Sequence, residues 1–200
     1  MFITIEGIDG CGKSTQSERL ASWLEERTGR RTVLTFEPGG YPDGKRLREF
    51  ILTGGNFSPL AELMLFLADR AEHVAKVIIP ALSAGHNVIC ERWNESTLAY
   101  QSGGHKLDIS RARQLIAACN FPEPDMKIFL DVDPELAVSR IMLRENRDKF
   151  EDEGLGLMRK VCEFYRELAR AGELAPIDCG NLDEDEVFSA ITEAVAWRFR

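Results

Sequence analysis

The sequence predicts an α/β fold: an open, five-stranded parallel sheet with helices on both faces. Three observations point to it. Short apolar runs alternate with longer helical patterns from end to end. Most runs are rich in Ile, Val or Leu with little polar alternation, as strands buried on both faces are. A glycine-rich turn follows the first run directly and leads into the first helical stretch. Strand–helix alternation of this kind is the pattern of a sheet covered on both sides.

Taken in order, the expected strands are Phe2–Glu6, Thr32–Phe36, Asn87–Cys90, Met126–Asp131 and Leu174–Asp178. Helices are expected at about 13–28, 43–52, 60–84, 110–119, 134–144, 155–171 and 184–199. No repeat, low-complexity tract or long linker divides the chain, so residues 1–200 read as a single domain. Two stretches read as mobile. Gln101–Lys106 contains Ser-Gly-Gly-His, and the segment at about 144–156 is dense in charge and poor in apolar residues. A solvated helix face would explain the second, and so would a lid that opens and closes.

Bulk properties narrow the function. Hydrophobic residues make up 44% and charged residues 29%, ordinary values for a globular chain. A net charge of −8 argues against a nucleic-acid binder, which needs a basic face, but allows a small anionic substrate held by a few arginines. Cys11, Cys90, Cys119, Cys162 and Cys179 form no CxxC pair or Cys/His spacing suited to zinc, so reduced thiols are expected. The first residues lack a basic, then long apolar, signal pattern, and no stretch reaches the ~18 apolar residues of a membrane span. A cytoplasmic protein is expected.

Gly7-Ile8-Asp9-Gly10-Cys11-Gly12-Lys13-Ser14 fits the phosphate-loop pattern G-x-x-x-x-G-K-[ST] completely, with Thr15 next. The glycines let the backbone curl so that its N–H groups face phosphates. Lys13 adds a charge near the β and γ phosphates, and the Ser14 hydroxyl is placed to ligate Mg²⁺. Gly7 to Thr15 are therefore the expected ATP-binding residues, and the fold class sharpens to a P-loop NTPase fold. The Asn-Lys-x-Asp element of GTPases and the Ser-Gly-Gly-Gln signature of ABC ATPases are missing from the sequence. A kinase of small molecules fits best.

Other residues suit a second substrate. Phe66 and Arg70 stand four apart, on one side of a helix, where a ring and a guanidinium suit a pyrimidine. Core packing would equally explain Phe66; an arginine on an apolar helix side needs a partner. Glu91 and Arg92 end a buried strand at the sheet edge where ligands bind. There Glu91 can hold Mg²⁺ waters or orient the acceptor, and Arg92 can grip a phosphate in bidentate fashion. Tyr100 and Gln101 are expected to line the acceptor's sugar and base pocket.

These motifs, in this order, resemble the bacterial thymidylate kinase family over nearly the whole chain. The resemblance rests on Phe2–Thr15, Glu37-Pro38-Gly39-Gly40, Leu65–Val74, Ile79–Leu82, Gly85–Ile89 with Glu91-Arg92-Trp93, Ser96–Gln101 and Asp148–Glu151. It implies transfer from Mg·ATP to dTMP by a homodimer. It also implies that Glu37, Asp9 (near the sugar 3′-hydroxyl) and Thr97 (near the base) join Phe66, Arg70, Arg92, Tyr100 and Gln101 in the acceptor site. One class of the family carries a charge-compensating arginine in the phosphate loop and another carries it in the lid. Cys11 fills the loop position here, which implies the lid class, with Arg144 and Arg147 as catalytic cations beside Lys13 and Arg92; Arg140 and Lys149 stand near them. The chain departs from the family at Phe36, where an arginine is usual, at Glu91 and Trp93 in place of Asp and Tyr, and at Lys149 in the lid. Arg48 is the best candidate to replace the missing arginine. A deoxynucleoside kinase and a non-catalytic nucleotide-binding module stay open as alternatives.

Overall fold

In the computed structural model, residues 1–142 and 149–197 are described, apart from the side chains of Lys149 and Asp152. Five strands, β1 (Phe2–Glu6), β2 (Thr32–Phe36), β3 (Asn87–Glu91), β4 (Met126–Asp131) and β5 (Ala175–Asp178), form one sheet in the order β2-β3-β1-β4-β5. Every pairing is parallel, with Ile3 opposite both Ile89 and Met126. The expected strands are all present; β3 gains Glu91, and β5 starts one residue later than expected.

Burial follows position in the sheet. All five residues of central β1 are buried, whereas edge strand β2 leaves Leu34 and Phe36 exposed. Alternation along β1 sends Phe2 and Glu6 to one face, where Phe2 meets Trp93 and Glu6 meets Tyr165. Ile3 and Ile5 point to the other face and join the main core. Helices α1 (Lys13–Thr28) and α10 (Glu184–Ala196) pack together on one side, and α9 (Gly154–Arg170) packs across β4 and β5.

The expected helix at 60–84 is a rod of three parts: α3 (Pro59–His73), a π-helical turn at Val74–Ile78, and α4 (Ile79–Ser83). Ser58 caps α3 through the Ala61 N–H, with Pro59 in the first turn. The remaining helices are α2 (Gly44–Thr53), α5 (Asn94–Thr97), α6 (Ile109–Ala118), α7 (Pro134–Ile141) and α8 (Lys149–Asp152).

One expectation fails. The stretch from Gln101 is a packed element, the end of a π-helical segment at Leu98–Gly104 that leads on from α5. Its glycines reflect close packing against α9. A Cβ on Gly103 would lie 2.7 Å from the Phe164 Cβ, and one on Gly104 would lie 2.6 Å from the Leu157 Cδ1. Small residues that look like a flexible loop are there because another helix leaves no room.

Residues 143–148, which include Arg144 and Arg147, lie outside the described residues. Just after them, Phe150 is buried against Phe66, Tyr100 and His105.

Candidate active site

The phosphate loop runs from the end of β1 into α1. Gly7, Gly10 and Gly12 have φ of 142°, 82° and 96°, values that residues with a Cβ rarely adopt. At Gly10 a Cβ would also run into the Ala137 carbonyl. Gly12 precedes Lys13, the first residue of α1, so the loop's N–H groups and the helix's positive end converge on one space. That space is an open cavity lined by Asp9, Gly10, Gly12, Lys13, Ser14 and Thr15, with Glu91 and Arg92 opposite. Gly7, Ile8 and Cys11 do not line it. Ile8 and Cys11 are core residues, and the Gly7 and Ile8 carbonyls accept from Lys13 Nζ at 3.0 and 2.9 Å.

Ser14 Oγ donates to Glu91 Oε2 at 2.9 Å. A serine from the start of α1 and a carboxylate from the end of β3 thus form a pair of hard oxygen donors at the mouth of the cradle. Such donors suit Mg²⁺.

Arg92 takes a left-handed backbone (φ 71°), which costs a non-glycine residue ~1–3 kcal/mol. This conformation follows directly from the end of β3, and the side chain reaches the phosphate loop. Nη2 donates to Asp9 Oδ1 at 2.6 Å and Nη1 to the Gly7 carbonyl at 3.3 Å. The Tyr100 hydroxyl donates to the other Asp9 oxygen at 3.0 Å. Burial opposes the charge on Asp9, but Arg92 and Lys13 outweigh it and hold the carboxyl well below the usual range. Burial drives the Tyr100 hydroxyl the other way, well above its usual value, so it stays a donor.

A second, smaller cavity adjoins the first. All nine residues expected at the acceptor site line it: Asp9, Glu37, Arg48, Phe66, Arg70, Arg92, Thr97, Tyr100 and Gln101. They come from the phosphate loop, the loop after β2, α2, α3, the end of β3 and the α5–π segment. Arg70 is buried, and its guanidinium is fully oriented. Nε donates to Glu37 Oε2 at 2.7 Å, Nη1 to Asn94 Oδ1 at 2.8 Å and Nη2 to Thr97 Oγ1 at 3.0 Å. His73 lies 3.0 Å from the second Glu37 oxygen, so that carboxylate is occupied on both sides. Cys90 is also close to Glu37 and His73, but Arg70 and His73 already engage Glu37, and the thiol bonds to backbone carbonyls. Glu37 and His73 belong to one hydrogen-bond network, and Cys90 packs beside it.

Arg48 lies over the Phe36 ring, 5.3 Å from its centre, and donates to the Pro38 carbonyl at 2.7 Å. It lines both cavities. The residue unusual at position 36 is therefore a platform for a nearby cation.

Pro38, Leu52, Ser96 and Phe150 also line the acceptor cavity without having been singled out as substrate residues. Ser96 had a readable signal: it lies four residues from both Arg92 and Tyr100, and its Oγ accepts from Arg92 at 3.4 Å. Phe150 had a signal only as part of the Asp148–Glu151 motif, which did not point to the acceptor cavity.

Comparison with known proteins gives this site a family. The sequence profile described as thymidylate kinase matches residues 5–191. The chain belongs to the thymidylate kinase family. It is 47% identical to the thymidylate kinase of a Synechococcus species (strain JA-2-3B'a(2-13)), over 86% of this chain and 82% of that one. It is 39% identical to that of Trichlorobacter lovleyi, over 99% of this chain and 98% of that one. Its fold is similar to the crystal structure of Ehrlichia chaffeensis thymidylate kinase, with a TM-score of 0.78 and 32% identity over 98% of each chain. The family is one of phosphotransferases, and the two adjoining cavities are of the kind such a reaction uses.

Proposed function

We infer that this enzyme transfers the γ-phosphoryl group of ATP to dTMP, giving dTDP and ADP. One observation carries the reading. The phosphate-loop cavity and the acceptor cavity share Asp9, Glu37, Arg48, Leu52 and Arg92 as a common wall. A nucleotide in each would bring donor and acceptor phosphates together at Arg48 and Arg92. Phosphoryl transfer needs little more from a protein than positioning and charge compensation, and a monophosphate oxyanion needs no general base.

Lys13 would serve the β and γ phosphates, and Arg92 with Arg48 the acceptor phosphate. Arg70 and Gln101 would face the base, Phe66 would stack on it, and Glu37 would hold Arg70 in place. Ser14 and Glu91 would hold Mg²⁺, which would supply positive charge to offset that of the phosphates. Arg144 and Arg147 remain the candidates for the mobile cation. Replacing each with alanine should lower kcat more than it raises the dTMP KM, the pattern of an interaction made mainly in the transition state. Unchanged kcat in the double variant would move that role to another cation.

No helix among the described residues is long and apolar enough to cross a membrane. A homodimer working in the cytoplasm completes the reading. Met64 and Ile79, both exposed on the α3–α4 rod, are apolar surface that a second copy would cover; sedimentation tests it.

An ADP-release assay against dTMP, dUMP, UMP, CMP and thymidine tests the reading as a whole. Turnover with dTMP is expected. Turnover with thymidine alone would make it a nucleoside kinase, and none with any acceptor would make it a binding module.

A further inference from the structure

Gln101 forms part of the acceptor cavity wall, and a buried carboxylate holds its amide. Its Nε2 donates to Glu62 Oε1 at 3.0 Å. Glu62 stands in the first turn of α3, and the same oxygen lies 2.8 Å from His105 Nδ1. His105 in turn stacks on Phe150, with ring centres 5.7 Å apart and planes at 17°, and its Nε2 lies 3.2 Å from Glu153. Glu62 is thus fixed between the element that carries Gln101 and the segment that carries Phe150.

A carboxylate only accepts hydrogen bonds, and here two nitrogens converge on one of its oxygens. It therefore takes the nitrogen end of the Gln101 amide. In a planar amide the oxygen then points along the other branch. That oxygen has no protein donor among the described residues and is not shut off in the interior, so it is left to face the cavity. Beside it, Arg70 spends Nη1 on Asn94 and Nη2 on Thr97, one contact each, while each of these nitrogens carries two hydrogens. This part of the wall presents a donor next to an acceptor.

We propose that Glu62 is a positioning residue that sets the base preference of the acceptor cavity, by holding the Gln101 amide so that its oxygen meets a pyrimidine ring N–H. A 2,4-dioxo pyrimidine offers a carbonyl and an adjacent ring N–H, which complements the wall. A 4-amino pyrimidine offers the reverse pattern, and its bare ring nitrogen would face the Gln101 oxygen. The inference rests on the reading of this cavity as the dTMP site.

The test is the ratio of kcat/KM for dTMP to that for dCMP, measured in wild type, Glu62→Gln, Gln101→Leu and Glu62→Asp. Glutamine at position 62 can donate as well as accept, so the Gln101 amide is free to turn over. The ratio should fall at least about tenfold, mostly through the dTMP KM, and Gln101→Leu should lower it similarly. Glu62→Asp keeps an acceptor-only group and should stay within a few-fold of wild type. General damage to the fold would depress both substrates alike and leave the ratio unchanged. An unchanged ratio in Glu62→Gln, or an equal loss in Glu62→Asp, overturns the inference. Wild type without dTMP turnover would bring down the dTMP reading as well, so the two failures are distinguishable.

Discussion

The two cavities of this enzyme are built in opposite ways. The phosphate cradle is mainly backbone: eight consecutive residues curl at the start of one helix, with glycines where φ is positive. Of its side chains, Lys13 folds back onto the Gly7 and Ile8 carbonyls of that frame and Ser14 bonds to Glu91. The acceptor cavity is mainly side chains from several elements, held by buried pairs such as Arg70–Glu37 and Glu62–Gln101. A backbone site can lose a side chain and keep its shape. A side-chain site cannot, because each group is both a contact and a support.

The sharpest trial of that difference is to remove one cation from each region. Lys13→Ala should lower kcat by orders of magnitude, while the thermal midpoint stays within a few degrees of wild type. Normal ADP release with dTMP would sink the cradle assignment. Arg70→Ala should abolish dTMP turnover and also destabilise the fold by about 3–5 kcal/mol, because it strands Glu37 as a buried, partly unpaired charge. Denaturant unfolding measures this; equal stability losses in the two variants would erase the contrast.

A smaller effect is expected where the cavities meet. Arg48→Ala should raise the dTMP KM about tenfold or more, the worth of a charge-assisted hydrogen bond, with less change in kcat. If the KM holds, Arg48 does not replace the arginine that the family usually carries at position 36. Calorimetry of Phe36→Arg with dTMP sharpens the same point. Tighter binding would mean a contact is missing in wild type, and weaker binding would mean the Phe36 platform matters.

The mildest trial concerns Glu6, beneath the acceptor wall. Ser96 Oγ, which also accepts from Arg92, donates to it at 2.5 Å. Burial first, and then the nearby Glu95, push its carboxyl up to about 7. Between about pH 4.5 and 7 the folded chain keeps a proton that the unfolded chain releases, so stability falls as pH rises across that window. Glu6→Gln should make this fall shallower, as read from thermal midpoints at pH 5 to 8. An unchanged slope would mean that Glu6 is charged in the fold.

Legibility followed the same division. The strands, the order of elements and the cradle were readable because they depend on local rules: apolar runs, glycine conformations and helix periodicity. Of the nine acceptor residues, Phe66, Arg70, Arg92, Tyr100 and Gln101 had a reading of their own and Arg48 followed from its helix, whereas Asp9, Glu37 and Thr97 needed the family resemblance, since no local pattern joins them to the rest. Phe150 stayed unread as part of the cavity wall, and Ser-Gly-Gly at residues 102–104 was misread as a loop. Composition cannot distinguish a glycine that bends from one that makes room for Phe164 or Leu157.

By itself, then, the sequence determined the α/β architecture and the phosphate loop, because neighbouring residues decide whether a backbone curls or extends. Tertiary structure alone decided which way the acceptor-site groups point. Arg70 is oriented by Glu37, Asn94 and Thr97, and Gln101 by Glu62, across 24 to 39 residues of chain. A side chain's direction is set by whatever the fold places against it, and no spacing along the chain records that.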